Sequence, residues 1–342
     1  VSENAAEGKL LKGAVIASLG LLSVPVAVRR LDHARERSGG RDLPCLPDGK
    51  KMEGIRSRDG TPLYVDYCGS AGPTVFFVHG WTCSGAIFRY QKPCFSDRYR
   101  VVTLDLRGHG RSGMPDSMDF HADRLAEDLK AVVDAFGPEE FVIAGHSMGG
   151  FTAFKFHEHF GEEYRGRLKG LVIIDSTGID LVEGMVMGRL VDLIYPWPLE
   201  SLLKLGGRES RFSKAFMALF RNSSAAYLLV RWAAFGKNPP ADEVEFQREL
   251  TFSTPVPTTA LALKACLDYH VDYHLPNVDV PVLILVGSED RLTNKRANRR
   301  TCELLPDARL VVFEGAGHDT QLERSEELNR ELRGFLEECF GR

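Results

Sequence analysis

Six short runs of nearly unbroken apolar residues constrain this chain more than any other feature. They cover residues 73–78 (PTVFFV), 100–104 (RVVTL), 141–144 (FVIA), 169–175 (KGLVIID), 280–287 (VPVLILVG) and 308–313 (ARLVVF). A strand that is apolar on both sides of its pleat must be covered on both faces, as in a parallel sheet packed between helices. The intervening segments carry helical periodicity. Over 120–136, Leu125, Leu129, Val132, Val133 and Phe136 recur at spacings of three and four, and Gly137-Pro138 ends the pattern. Further helices are expected over 150–156, 294–304 and 325–340. Strand and helix in alternation is the α/β pattern, with right-handed crossovers that place helices on both faces of the sheet. Ahead of it, residues 53–67 read as a hairpin turning at Arg58-Asp59-Gly60.

The alternation stops after the fourth run and resumes about a hundred residues later. Residues 178–277 are rich in apolar side chains but interrupted by Pro196, Pro198, Pro239-Pro240, Pro255 and Pro257. Helical segments over 190–195, 212–220, 227–235 and 259–267 are expected there. The economical arrangement is a helical cap inserted over the strand ends of a core formed by residues 51–177 and 278–342.

Residues 1–50 stand apart. No residue from 13 to 28 is charged, Lys9 and Lys12 precede this stretch, and a basic, Gly- and Pro-containing linker follows it. The stretch falls short of the roughly 20 residues that cross a bilayer comfortably. It reads as a membrane contact through residues 10–28, as a helix packed on protein, or as an export signal without a clean cleavage site. A cytoplasmic or membrane-associated protein is expected, with export as the third reading. A formal net charge of -4 gives no reason to expect a nucleic-acid partner. The seven cysteines (Cys45, Cys68, Cys83, Cys94, Cys266, Cys302 and Cys339) include no C-x-x-C pair and no zinc spacing. Free thiols are expected, with disulfides in an extracytoplasmic protein as the rival reading. Nothing in the chain sets an oligomeric state.

The third apolar run leads into Gly145-His146-Ser147-Met148-Gly149, a G-x-S-x-G pattern between a strand and a helix. A serine held in such a turn presents its hydroxyl outward, and the glycines let neighbouring backbone approach. Three more polar segments follow apolar runs: His79-Gly80-Trp81, Gly287-Ser288-Glu289-Asp290 and Gly315-Ala316-Gly317-His318. All four are expected along one edge of the sheet, where ligands bind in open α/β folds. A serine hydroxyl needs a base beside it, and His318, following the Gly-Ala-Gly turn, is placed to reach it. That base needs an acid on its far nitrogen. Asp290 fits by position; Asp175 and then Glu289 are the rivals. His146, His79, Asp105, Arg107 and His109 read as structural. His270 and His274 lack the intervening glutamate of a zinc helix, so neither a metal nor a cofactor is expected.

With the chain order Ser147, Asp290, His318, these segments resemble the α/β-hydrolase superfamily over roughly residues 53–340. The resemblance implies an α/β-hydrolase fold, with a mostly parallel sheet, helices on both faces and a helical cap. It also implies an oxyanion hole made by the N–H groups of Trp81 and Met148. Ser147 stands where some members carry an aspartate, which disfavours epoxide and haloalkane hydrolysis. Similar serine enzymes include carboxylesterases, monoacylglycerol-type lipases, lactonases, C–C hydrolases, proline iminopeptidases and cofactor-free haloperoxidases.

The expected activity is hydrolysis of a carboxylic ester through an acyl-enzyme. Trp81 and the Phe-, Leu- and Met-rich insertion favour a small hydrophobic or lipid-like ester. Acyl transfer, C–C bond hydrolysis and perhydrolysis would use the same residues. A non-catalytic binding protein is the reading from another class.

Overall fold

Val, Ile, Phe and Leu side chains pack well on a pleated surface buried from both sides, and the strands form where the apolar runs place them. A computed structural model describes residues 49–69, 72–181 and 220–341. Among these residues, eight strands build one sheet: β1 (Lys50–Met52), β2 (Tyr64–Cys68), β3 (Thr74–Val78), β4 (Arg100–Asp105), β5 (Phe141–His146), β6 (Leu168–Ile174), β7 (Val282–Gly287) and β8 (Ala308–Phe313). Their spatial order is β1-β2-β4-β3-β5-β6-β7-β8. The β1–β2 and β2–β4 pairs are antiparallel, and the pairs from β4 to β8 are parallel. Strands β3, β5 and β7 are buried at every position.

The helices are α1 (Gln91–Phe95), α2 (Ala122–Phe136), α3 (Met148–Phe160), α4 (Ser224–Ala234), α5 (Ala241–Ser253), α6 (Val256–Leu267), α7 (Lys295–Leu304), α8 (Thr320–Glu323) and α9 (Ser325–Phe340). Adjacent residues of one strand serve opposite cores, as a period of two demands. Phe76 and Ile143 join Leu125, Leu129 and Phe154 on one face. Phe77 and Val142 join Phe95, Leu332 and Leu336 on the other.

Several expectations need correction. The hairpin over 53–67 reduces to a single bridge, Arg56 to Pro62, around a left-handed Gly60 (φ 87°). The strand that pairs with β2 at the sheet edge is instead β1, a polar segment with no apolar signature. Strand β5 continues to His146, two residues past the apolar run. Helix α6 starts at Val256, because Pro255 caps it and Pro257 sits in the first turn, where its missing N–H costs nothing. Helix α5 had no periodic signal, since its buried positions include Glu243, Gln247 and Arg248.

Lys50, the expected end of the linker, opens β1. The apolar N-terminal segment and residues 29–48 of its linker, with the membrane contact assigned to residues 10–28, lie outside the described residues. So do the expected helix over 190–195 and nearly all of that over 212–220. Among the described residues, no helix is long and apolar enough to cross a membrane. Cys45 is outside them as well; the other six cysteines are free thiols.

The turn after β4 is fixed by a buried ion pair. Arg107 is fully buried; its Nε donates to Asp128 Oδ2 at 2.8 Å, and its terminal nitrogens to Asp128 Oδ1 at 2.6 Å and Asp59 Oδ2 at 2.9 Å. Removing one member of such a pair strands the other charge. Asp128→Ala is expected to cost about 3–5 kcal/mol, read as a lower urea midpoint at unchanged slope. An unchanged midpoint would show that Arg107 is satisfied without it.

Candidate active site

Ser147 sits between the end of β5 and the start of α3 with φ 50° and ψ -118°. This is a positive-φ conformation that a non-glycine residue holds only when its surroundings impose it. Those surroundings are close-packed backbone. A Cβ on Gly145 or on Gly149 would collide with main-chain atoms, those of Gly149 in the first case and of Val78 in the second. The Ser147 N–H donates to Ile174 O at 2.9 Å, and the Ser176 hydroxyl donates to Ser147 O at 2.7 Å. The turn is thereby held to β6 as well.

The three expected side chains meet. Ser147 Oγ lies 2.9 Å from His318 Nε2, and His318 Nδ1 lies 2.9 Å from Asp290 Oδ2. Asp290 also accepts from the N–H groups of Leu292 (2.8 Å) and Thr293 (2.9 Å) and from the Thr293 hydroxyl (2.7 Å). Thr293 escaped the sequence reading, although an Asp-x-x-Thr turn is a known local hydrogen-bonding pattern. Burial opposes charge on Asp290, but the His318 ring and these donors outweigh it and hold the carboxyl below its usual range. Burial likewise opposes protonation of His318, yet Asp290 beside it raises the ring to about 9. A carboxylate on Nδ1 fixes which nitrogen carries the proton, so Nε2 faces the hydroxyl as an acceptor when the ring is neutral.

The rival acids are engaged elsewhere. Asp175 is fully buried, with φ 44°. Its carboxylate accepts from the Gly287 N–H at 2.9 Å, from the Thr320 N–H at 2.9 Å and from the Thr320 hydroxyl. Burial and the neighbouring Asp290 charge push it well above the ordinary carboxyl range. Glu289 turns outward to Lys237, 3.1 Å away.

The nearby histidines are backbone fasteners. His79 Nε2 accepts from the Leu106 N–H at 2.9 Å while its Nδ1–H donates to Gly80 O at 2.8 Å; burial lowers it to about 4. His146 lies 2.9 Å from His318 O through Nε2, and burial lowers it to about 3. His109 bonds Arg107 O at 3.0 Å through Nδ1. Asp105 accepts from the N–H groups of Gly85 at 2.7 Å and Arg111 at 2.8 Å. His274 faces His157 at 2.9 Å, whereas His270 is exposed. No group of metal-binding residues occurs among the described residues.

The segment after β3 lies directly on the serine. A Cβ on Gly80 would stand 2.9 Å from Ser147 Cβ and from His146 Nδ1. Trp81 is anchored to α6 by its indole N–H, which donates to Thr259 O at 2.8 Å. Met148 opens α3, so its N–H has no acceptor within the helix. Hydroxyl, imidazole and carboxylate are thus aligned for proton transfer beside a helix N-terminus, where developing negative charge is favoured.

Comparison with known proteins gives this arrangement a context. The family model described as alpha/beta hydrolase fold matches residues 73–325. A non-heme haloperoxidase of Rhodococcus erythropolis is 28% identical over 298 residues, covering 84% of this chain and 100% of the relative. A pimeloyl-[acyl-carrier protein] methyl ester esterase of Aliivibrio fischeri is 26% identical over 279 residues, covering 81% of this chain and 98% of the relative. Among solved structures, an esterase from Exiguobacterium antarcticum superposes with a TM-score of 0.67 at 23% identity, covering 84% of this chain and 100% of its own. With this family model spanning most of the chain and this sheet beneath it, the protein belongs to the α/β-hydrolase family.

Proposed function

We propose that this protein is a serine hydrolase that cleaves carboxylic esters through an acyl-enzyme, with Ser147 as nucleophile, His318 as general base and Asp290 as its orienting acid. The observation that carries the reading is the continuous line from Ser147 Oγ to His318 to Asp290, with 2.9 Å at each step. In this mechanism His318 takes the Ser147 proton as Oγ attacks the ester carbonyl. The N–H groups of Trp81 and Met148 receive the developing oxyanion. His318 then protonates the leaving alcohol, and a water deprotonated by the same ring releases the acid and restores Ser147. Each oxyanion donor contributes about 10²–10³ in rate in comparable sites.

A hydrophobic acyl group fits the apolar composition of the insertion, proposed as a cap over Ser147, and the apolar Trp81 side chain, whose indole is fastened to α6 of that insertion. The relatives named haloperoxidases favour a second reading in which hydrogen peroxide replaces water on the acyl-enzyme, releasing a peracid and free Ser147. Assay of peracid from acetate ester and peroxide separates the two.

Ser147→Ala is expected to lower kcat on p-nitrophenyl esters by at least about 10⁴-fold and to abolish fluorophosphonate labelling; unchanged turnover sinks the assignment. In chain-length profiling, octanoate esters should exceed acetate esters in kcat/KM. The reverse order would count against the hydrophobic substrate.

The pH dependence has a definite sign. A ring raised from 6.5 to about 9 is protonated, and idle as a base, over the intervening window. The kcat/KM of the free enzyme should therefore climb with pH through a limb above 6.5. The raised ring contributes stability that is fully present below about 6.5 and lost as pH rises through about 9, while the contribution of the lowered Asp290 carboxyl is lost as pH falls below the ordinary carboxylate range. Asp290→Asn should move the limb to 6.5 or lower and cut the plateau by about 10⁴. A wild-type limb at or below 6.5 would refute the coupling.

A further inference from the structure

The loop that carries His318 is bound to the insertion through its backbone. Helix α4 ends at Ala234, whose carbonyl accepts from two successive N–H groups, those of His318 at 2.7 Å and Asp319 at 3.1 Å. The last carbonyls of a helix lack intrahelical partners, and this one is taken by the segment holding the imidazole. The Lys237 N–H donates back to Gly315 O at 3.3 Å. Glu323, buried on α8, joins the two segments side by side: Oε1 accepts from the Gly317 N–H at 2.6 Å and Oε2 from the Gly236 N–H at 3.0 Å. From the other flank Arg291, next to Asp290 in the chain, donates to Trp232 O at 2.7 Å and Phe235 O at 2.9 Å.

Nothing but main chain separates the two segments. A Cβ on Gly236 would collide with the Gly315 carbonyl, and one on Gly317 would stand 2.5 Å from Gly236 N. Neither glycine has a positive φ, so close approach explains them and conformational freedom does not. The turn before His318 is a packed contact.

We propose that residues 234–236 form a positioning strap for His318, held by Glu323 and Arg291, so that the imidazole keeps its place only while this part of the insertion is docked. The proposal rests on the reading of Ser147, Asp290 and His318 as the catalytic set. Catalytic groups must be held within about 0.5 Å of productive geometry, and a displacement of 1 Å costs about 10²-fold. The strap makes the insertion a determinant of catalytic geometry as well as a cover. Glu323, Arg291 and the Ala234 carbonyl act through His318 and touch no substrate.

Glu323→Gln keeps the shape but sets an amide NH₂ against one of the two N–H groups. Arg291→Met removes the opposite fastening, and Gly236→Ala forces the segments apart. For each, kcat on a soluble p-nitrophenyl ester should fall at least about tenfold with KM within about threefold. The low-field Nδ1–H proton resonance of His318, identified by its loss in His318→Gln, should broaden. Leu229→Ser, on the exposed side of α4, should match the wild type. Wild-type kcat and an intact resonance in Glu323→Gln and Arg291→Met would overturn the strap, as would a lower Tm alone. Should Glu323→Gln fail to fold, Arg291→Met decides. If Ser147→Ala remains active the catalytic reading fails, and the resonance still tests the strap by itself.

Discussion

The hydrogen-bonded pair of His318 and Asp290 is the interaction around which the molecule is organised. Each partner is almost wholly shielded from water. Either charge alone in that place would be costly, and together they are sustained because Thr293 and the Leu292 N–H satisfy the remaining carboxylate lone pairs. The pair comes from two loops, after β7 and after β8, and the serine from a third, after β5. Parallel strands about 4.8 Å apart place three such loops on one edge without any of them being long.

The same requirement explains the crowding beneath Ser147. A hydroxyl projects from a strand end toward an imidazole only if the chain turns within one residue. The sheet must then admit the helix start almost into contact with β3. Gly149 abuts the carbonyl of Val78, and Gly145 abuts Gly149 itself. The strained φ of Ser147 is sustained by two bonds to neighbouring strand ends, the Ser147 N–H to Ile174 and the Ser176 hydroxyl to Ser147 O. Strain at Ser147 is here a consequence of packing that larger side chains would prevent.

What the sequence could and could not reveal follows from which forces act locally. Ser147, Asp290 and His318 were legible because each follows a strand whose apolar run marks its own end. The buried faces of β3 to β7 were legible for the same reason. Strand β1 was invisible because Lys50 and Lys51 are exposed at the sheet edge and only Met52 packs on the core, too little to mark an apolar run. Helix α5 was invisible because its inward side chains are held by partners far away in the chain, as Glu243 is by Tyr90 and Gln247 by Cys83. The Gly315-Ala316-Gly317 segment read only as a turn, since a glycine needed for close approach, as Gly317 is, looks the same in a sequence as one needed for a positive φ, as Gly315 is. Which of the two it is depends on Phe235 and Gly236, some eighty residues earlier in the chain.

A last consequence concerns how charge is allotted near the imidazole. Asp175, Asp290, Asp319 and Glu323 are all buried around the His318 loop, and four carboxylates cannot share one cation in a low-dielectric site. The structure resolves this by hydrogen-bond supply. Asp290 takes the ring N–H and three further donors, and its carboxyl is held low. Asp319 and Glu323 are lifted by burial to about 7, and Asp175 rises well above the ordinary range with the charge of Asp290 against it. Of the four, the carboxyl touching Nδ1 is therefore the one whose charge the site favours. Asp175 and Glu323 serve chiefly as acceptors for the Thr320, Gly287, Gly317 and Gly236 N–H groups, fixing the loop without competing for the ring proton. An imidazole with several acids close by thus answers to one of them, as the proposed exchange of a single proton with the Ser147 hydroxyl requires.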